Sequence, residues 1–297
     1  MARQHTVSFA AFQKEFPDEI SCRDYLFKKR WPNGFVCPKC GGIGCYTLKD
    51  RKEYVCRQCR KQSSVTTGTV MHRSHLPLTV WFWAMFLVSR DKRGYSAKRL
   101  SQDLDISYHS AWYLLHRIRA AMAERNSIYQ LFGTVEMDET FYGAPGKSGK
   151  HGRGTGKASI LVALSKDTHG HPGFLKMKVD KVTKQNIQNM VRSSIVPGSL
   201  IQTDGLNLYQ YVLGDEYQHE SHPIEKDPSR LNWTHTAISN AKSFLQGTFH
   251  GLDSKHLQRY LDEFCYRFNR RFHPETLFSS LCIAVVQSNI LGLVELR

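Results

Sequence analysis

The sequence predicts an α/β domain with a mixed sheet and flanking helices, preceded by a small metal-binding ribbon and a helical segment. Three observations lead to this prediction. Two Cys-x-x-Cys pairs lie within the first 60 residues, and residues 77–130 carry apolar side chains at helical spacing. Beyond residue 131, short apolar runs of strand length alternate with amphipathic helices.

The composition indicates a folded protein that binds a polyanion. The chain has 297 residues, of which 41% are hydrophobic, so it can form more than one core. Its 41 Lys and Arg against 26 Asp and Glu give a formal charge of +15, which is typical of nucleic-acid binding proteins. The longest apolar run, residues 80–88, is too short to span a bilayer. We therefore expect a cytoplasmic, nucleoid-associated protein with no membrane partner, whose eight cysteines are ligands or thiols.

Composition and the spacing of apolar residues divide the chain into five predicted parts. Residues 63–76 are rich in Ser, Thr and His, and predict a polar linker with a short strand at 64–67. The predicted parts are an N-terminal helical collar at 1–34, a zinc ribbon at 35–70, a helical segment at 77–130, an α/β domain at 131–275 and a closing helix at 276–297.

The cysteine pairs predict a zinc site. Cys37 and Cys40 precede Cys56 and Cys59, and each pair can place two thiolates on one metal from a tight turn. A redox-active dithiol is the alternative. A ribbon of this size is too small to fold alone, so one structural zinc ion would stabilise it. Its basic surface leaves DNA binding and docking on another domain open; the residues are Arg51, Lys52, Arg57, Arg60 and Lys61.

Residues 96–118 have the pattern of a helix-turn-helix. A short helix ends near Leu104, and Ser107 is the expected N-cap of a longer helix. Tyr108 and His109 would then begin a helix that can enter a major groove. A helical hairpin that only packs is the alternative.

The order of elements after residue 131 predicts a ribonuclease H-like fold. Strands are expected at 134–142, 158–165 and 174–179, then a helix at 183–195 and a strand at 199–203. In that fold the first and fourth strands are neighbours, which would bring Asp138 and Asp204 together. Paired carboxylates in a basic chain indicate metal-dependent phosphoryl transfer on nucleic acid.

A glycine-rich stretch follows the first of these strands. Residues 143–157 contain five cationic side chains and match no phosphate-binding loop motif. We interpret the stretch as a flexible loop beside the aspartates that holds a phosphate backbone, with a solvated loop as the alternative.

Several motifs together resemble a known family. They are the two cysteine pairs, residues 135–140 around Asp138, the run Thr203, Asp204 and Gly205, and residues 247–251 with the helix predicted at 255–271. The chain resembles the zinc-ribbon DDE transposases of small bacterial insertion sequences over nearly its full length. The resemblance implies cutting at insertion-sequence ends and joining of 3′-hydroxyls to target DNA. It also implies two Mg²⁺ (or Mn²⁺) ions on Asp138 and Asp204, and a homo-oligomer on double-stranded DNA that carries the terminal repeats or the target.

The resemblance leaves the third metal ligand open. The usual ligand is a Glu on a late helix with a Lys seven residues on, which is two turns along one face. Seven residues before Lys242 the chain has His235, and residues 228–252 contain no acidic side chain. Asn240, 36 residues beyond Asp204, is the other candidate, because some members use Asn. The resemblance favours Asn240 and the helical register favours His235. Glu136, on the same strand face as Asp138, is either a weak metal ligand or a solvated side chain.

Three functions are consistent with these patterns. The first is an active transposase. The second is a non-catalytic DNA-binding regulator that derives from one, and the third is a nuclease of this fold without joining activity.

Overall fold

The computed structural model describes residues 7–48, 53–143, 157–204, 208–209, 216–221 and 231–289. The chain divides into a helical unit, residues 1–125 with 272–297, and a sheet unit, residues 126–271. Most of the glycine-rich stretch at 143–157 lies outside the described residues. In chain order the elements are α1 (Phe9–Glu15), α2 (Glu19–Arg30), β1 (Cys45–Leu48), β2 (Glu53–Cys56), β3 (Gln62–Ser63), α3 (Leu78–Arg90), α4 (Ala97–Asp103), α5 (Tyr108–Ser127), β4 (Thr134–Tyr142), β5 (Ala158–Lys166), β6 (Pro172–Val179), α6 (Lys184–Ser194), β7 (Leu200–Thr203), β8 (Gln218–Ser221), α7 (Asn232–Thr248), α8 (Leu257–Phe268) and α9 (Leu277–Gln287).

Aromatic side chains form the core of the helical unit. The rings of Phe12 in α1 and Phe86 in α3 stack with centroids 4.1 Å apart, and Phe278 of α9 meets Phe12 edge-on. Phe82 and Trp81 are each 1% exposed. The aromatic residues of α3 therefore pack in a core, which is the usual role of so apolar a helix.

The zinc ribbon is a three-stranded antiparallel sheet in the order β1-β2-β3. Its Tyr54 packs against Trp31 and Phe27 at the end of α2. Arg30 of α2 donates hydrogen bonds to the backbone oxygens of Val65 and Thr67, at 2.7 and 2.6 Å.

The prediction of a polar linker with a strand at 64–67 in residues 63–76 is wrong. Val65, Val70 and Met71 are buried, and the third strand lies at Gln62–Ser63 instead of at 64–67. Apolar residues spaced irregularly among polar ones gave no periodic signal, although the tertiary structure buries them.

The predicted helix-turn-helix pattern is present as α4, a turn and α5. Ser107 is the N-cap of α5, since its Oγ accepts a hydrogen bond from the Ser110 N–H at 3.1 Å. Tyr108 and His109 are exposed at the start of α5. In the described part of the chain, none of the helices has the length and apolarity that a membrane span requires.

The sheet unit contains a mixed five-stranded sheet in the order β6-β5-β4-β7-β8. The pairs β4–β5 and β5–β6 are antiparallel, whereas β4–β7 and β7–β8 are parallel. The sequence predicted the strands of this meander and the following strand within two residues of these bounds. The first and fourth of them, β4 and β7, are neighbours as expected for the ribonuclease H-like order.

Helices cover both faces of this sheet. Alternate residues of β4 point to opposite faces. Val135 and Met137 of β4 pack with Ile187 and Val191 of α6. On the other face, residues of β5 and β6 pack against α7 and α8; among them are Val162, Leu164, Leu175, Ala241, Phe244, Leu257 and Leu261. Glu136 and Asp138 lie on this second face, the one that α7 covers.

Candidate active site

Asp138 and Asp204 lie side by side in the middle of the sheet, where β7 ends next to β4. The last registered pair between the parallel strands β4 and β7 joins Met137 to Thr203. Asp138 and Asp204 are the next residues on each strand. Neighbouring strands are about 4.8 Å apart, and residues opposite each other in a parallel pair point to the same face. The register therefore brings together two carboxylates that are 66 residues apart in sequence.

The surroundings of Asp138 disfavour its ionised form. Its side chain is 13% exposed, and burial is the main cause that raises its pKa to about 7. The N–H of Glu139 donates to Oδ1 at 2.8 Å and opposes this shift. The charges of Asp204 and Glu139 raise the pKa further, and the charge of Lys242 lowers it.

Helix α7 brings His235 to Asp138. The distance from His235 Nε2 to Asp138 Oδ2 is 3.3 Å. Lys242 lies two helical turns further on, on the same face of α7. Since the charge of Lys242 also acts on Asp138, one face of α7 presents an imidazole and an ammonium group to this carboxyl.

Asn240 lies elsewhere on α7. A helix turns about 100° per residue, so Asn240 is about 140° around the axis from His235. Asn240 is exposed, whereas Ala241 beside it is buried in the core between α7 and the sheet. Of the two candidates for the third position, the structure brings His235 and not Asn240 to Asp138.

Glu136 holds the start of α7. It is 3% exposed, so the solvated interpretation of this residue is wrong. Its Oε2 accepts from the Thr234 N–H at 3.0 Å and from the Thr234 hydroxyl at 2.9 Å, while Oε1 lies 3.2 Å from Lys166 Nζ. The N-cap residue Leu231 provides no side-chain cap, so this carboxylate from β4 satisfies an N–H group that helix termini leave open. His235 directly follows Thr234, so the contact between Glu136 and Thr234 also fixes the position of His235.

The four predicted cysteines converge in the helical unit. Cys37 Sγ lies 3.6 Å from Cys59 Sγ, and Cys40 Sγ lies 3.7 Å from Cys56 Sγ. Zinc–sulfur bonds of about 2.3 Å place tetrahedral thiolates close to this spacing. Among the described residues, these thiols are the one set of three or more Cys, His, Asp or Glu donors within 4.8 Å of one another. The donor set fits a structural zinc ion.

The turn that contains Cys37 favours the thiolate form of this residue, which is the form that binds metal. Burial raises the pKa of this thiol, but hydrogen bonds from the backbone of Cys40 and Lys39 and from the Cys59 thiol outweigh burial and lower the pKa to about 6. The Lys39 N–H lies 3.4 Å from Cys37 Sγ. Cys45, on β1, is not one of the converging set.

Comparisons with known proteins identify two domains in this chain. Residues 130–269 match the ISXO2-like transposase domain, and residues 17–62 match the transposase zinc-ribbon domain. The chain thus contains both domains of a zinc-ribbon transposase. A relative in Halobacterium salinarum is 27% identical in an alignment of 241 residues that covers 74% of this chain and 78% of the relative. It is described as an uncharacterized protein in transposable element ISH50.

One solved structure similar to this transposase is the Mos1 transposase paired-end complex with left transposon end. The two share 12% identity and a TM-score of 0.24, over 67% of this chain and 78% of the Mos1 chain. This score is too low to support an argument. The assignment of the family therefore depends on the two matched domains.

Two residues of this transposase that sequence reasoning did not single out, Glu139 and Tyr209, lie beside the aspartates. Tyr209 is fully buried, and its hydroxyl donates to Glu139 Oε2 at 3.4 Å. Burial, followed by the charges of Glu139, Asp138 and Asp204, raises the pKa of Tyr209 well above its usual value. The positions of Glu139, next to Asp138, and of Tyr209, five residues after Asp204, were the only signals that the sequence offered.

The aspartates of this transposase fit a divalent cation. Carboxylate oxygens are the ligands that Mg²⁺ and Mn²⁺ prefer. Two adjacent carboxylates repel each other when both are ionised, and burial already raises the pKa of Asp138, so a cation between them would relieve that cost. Asp138 and Asp204 are thus the residues that would hold the metal.

Proposed function

We propose that this transposase cuts the ends of its insertion sequence and joins the 3′-hydroxyls to target DNA by metal-dependent phosphoryl transfer. The observation that supports this most is the placement of Asp138 beside Asp204, with the pKa of Asp138 raised to about 7. Such a shift is typical of functional carboxyl groups, and adjacent carboxylates are the usual ligands of metal-dependent nucleases.

Each residue has a role in this proposal. Asp138 and Asp204 would hold two Mg²⁺ or Mn²⁺ ions, and ions bound there would supply activation of a water or a 3′-hydroxyl and stabilisation of the leaving oxygen. His235 takes the third position, 3.3 Å from Asp138. A neutral imidazole adds no charge, so the metal is held less tightly than by a third carboxylate. Lys242 places a positive charge on the same face of α7, where it meets a DNA phosphate. Glu136 orients α7 and is not a ligand, because Thr234 and Lys166 already occupy its oxygens.

The proposed partners are double-stranded DNA and further copies of the chain. The formal charge of +15 favours DNA, and the exposed start of α5 offers Tyr108 and His109 to a groove. Two ends must be joined to one target, so we propose a homo-oligomer on terminal-repeat and target DNA in the nucleoid.

Strand-transfer assays with the full chain test this function. Terminal repeats taken from the DNA that flanks the gene, in Mg²⁺ or Mn²⁺, should be nicked and joined to a target duplex. Asp138→Asn and Asp204→Asn should each lower both steps at least about 100-fold, with DNA affinity retained. Unimpaired joining by either variant would contradict the assignment of the site.

His235 gives a reason to consider a regulator as the second candidate. An imidazole where a carboxylate is usual weakens metal binding, and a chain without catalysis could still bind DNA. DNA binding without cutting in any divalent metal would favour the regulator. Cutting without joining would instead favour a nuclease.

A further inference from the structure

The zinc ribbon carries two arginines on one exposed aromatic ring. Tyr46, on β1, is 51% exposed. The guanidinium carbon of Arg57 lies 5.2 Å from the centre of its ring, and that of Arg60 lies 5.8 Å from it. Both arginines are exposed. The cluster is on the helical unit and is not part of the aspartate site of the sheet unit.

The zinc-binding turn fixes both arginines. Arg57 directly follows Cys56, and Arg60 directly follows Cys59. The Arg57 N–H donates to the Gly44 oxygen at 3.2 Å, and Arg57 Cδ would lie only 3.3 Å from a Cβ at position 44. Gly44 therefore leaves room for the Arg57 side chain. Arg60 has a left-handed backbone with φ of 61°, and in this conformation its guanidinium group lies over the same Tyr46 ring.

The cluster has excess positive charge. Among the described residues, no carboxylate lies within 4.0 Å of Arg57 or Arg60 in an ion pair. Residues 35–63 contain seven Lys and Arg but two Asp and Glu. A single arginine would be enough to cover the ring, and two like charges at one ring repel each other. An anion that sits between the two guanidinium groups removes this repulsion, and phosphate matches their planar donors.

We propose that Tyr46, Arg57 and Arg60 form a clamp for the phosphates of double-stranded DNA. It contacts the backbone and not the base edges, so it contributes affinity without sequence preference. Two guanidinium groups correspond to about two phosphates. The clamp rests on the proposed function in one respect, which is that DNA is the substrate.

The salt dependence of DNA binding tests the clamp. Fluorescence anisotropy with a labelled duplex, from 50 to 200 mM salt, gives the slope of log K against log[salt]. Each phosphate contact contributes about 0.9 to that slope, so R57A/R60A should lower its magnitude by about 1.8 on terminal-repeat and random duplexes alike. R57K/R60K should keep the slope and bind more weakly, because lysine cannot stack or form paired hydrogen bonds. The zinc content of each variant is measured alongside.

Two further variants separate the clamp from general charge and from folding. K14A/K181A removes two exposed positive charges elsewhere and should lower the slope much less than R57A/R60A. Y46L keeps both arginines but removes the ring that orients them, so it should lower affinity with little change in slope. If R57A/R60A loses zinc, R57K/R60K and Y46L still decide the outcome.

The results distinguish the clamp from the proposed function. A wild-type chain that binds no DNA would overturn the proposed function and the clamp with it. Wild-type binding with an unchanged slope in R57A/R60A, or an equal loss in K14A/K181A, would overturn the clamp alone. Full affinity in both R57K/R60K and Y46L would also overturn it.

Discussion

Asp138 is a carboxyl group that the fold buries next to other negative charge. Burial, with the charges of Asp204 and Glu139, raises its pKa to about 7. In the absence of a cation, ionisation of Asp138 at neutral pH therefore costs more free energy in the folded chain than in the unfolded chain. An ionised Asp138 therefore costs stability, and a bound cation would offset that cost.

Asp138→Asn should stabilise the protein above neutral pH. The pKa of about 7 in the folded state exceeds the ordinary aspartate pKa of 3.8, so the folded state binds more protons between these pH values. The contribution of Asp138 to the free energy of unfolding therefore falls as the pH rises from about 4 to about 7, and it stays low at higher pH. Differential scanning calorimetry without added divalent cation should show Asp138→Asn melting a few degrees above wild type at pH 8 and close to it at pH 4.

Asp253→Asn is the matched control for this pH effect. The N–H of Lys255 lowers the pKa of Asp253, so the folded state favours the ionised form of this carboxyl group. Removal of the Asp253 carboxylate therefore cannot raise the melting temperature at pH 8. Equal melting temperatures of wild type and Asp138→Asn at pH 8 would contradict the buried, repelled carboxyl.

His235→Ala and Asn240→Ala should have opposite outcomes. His235 lies 3.3 Å from Asp138, whereas Asn240 lies on the exposed side of the same helix. Loss of a residue that contacts a metal ligand lowers metal affinity or activity by about 10–100-fold. We expect His235→Ala to lower joining by that factor and to raise the Mg²⁺ concentration required, and Asn240→Ala to change joining less than about threefold. The reverse result in the joining assay would assign the third position to Asn240.

Helix α8 protects the open edge of the sheet. β6 is an edge strand, whose unpaired N–H and oxygen groups would otherwise invite another strand. Side chains of α8 and the residues after it take the place of that strand. Asn269 accepts from the Leu175 N–H at 2.7 Å and donates to the Leu175 oxygen at 3.1 Å. Gln258 does the same for the Val179 N–H and the Met177 oxygen, at 2.7 and 3.0 Å.

Asn269→Leu should expose this edge. The change leaves the backbone groups of Leu175 without their two partners, which costs about 2–3 kcal/mol in the free energy of unfolding. We expect a lower denaturation midpoint and earlier light scattering on heating. Asn189→Leu changes an exposed amide of α6 and is the control. If both variants scatter at the same temperature, Asn269 does not protect the edge.

The sequence predicted regular elements better than the contacts between them. Strand β4 was predicted with its observed bounds, because its length and alternation are local signals. The contact of Glu136 with Thr234 joins residues 98 apart, and those of Asn269 with Leu175 join residues 94 apart. No local pattern marks such pairs. His235 and Asn240 could be separated only when the side of α7 that faces Asp138 was known.

At the scale of the whole molecule, the zinc ribbon depends on its metal for folding and carries positive charge on the same turns. The three short strands of the ribbon bury few side chains of their own, among them Tyr54 and Ser63. Four thiols within 4.8 Å of one another repel as thiolates unless a cation holds them. The positive clamp of Tyr46, Arg57 and Arg60 is attached to the same turns, so it should depend on the same metal.

Cys59→Ser should therefore unfold the ribbon and remove its contribution to DNA binding. Zinc supplies about 10–16 kcal/mol in isolated zinc-binding peptides, far more than three short strands can provide. In hydrogen-exchange mass spectrometry, peptides that cover β1, β2 and β3 should lose protection, and those of β4 and β5 should retain it. The slope of the salt dependence should fall at least as much as in R57A/R60A. Cys45→Ser changes a thiol of β1 outside the converging set, so it should keep zinc, protection and slope. Retained protection in Cys59→Ser would show that the ribbon folds without its metal.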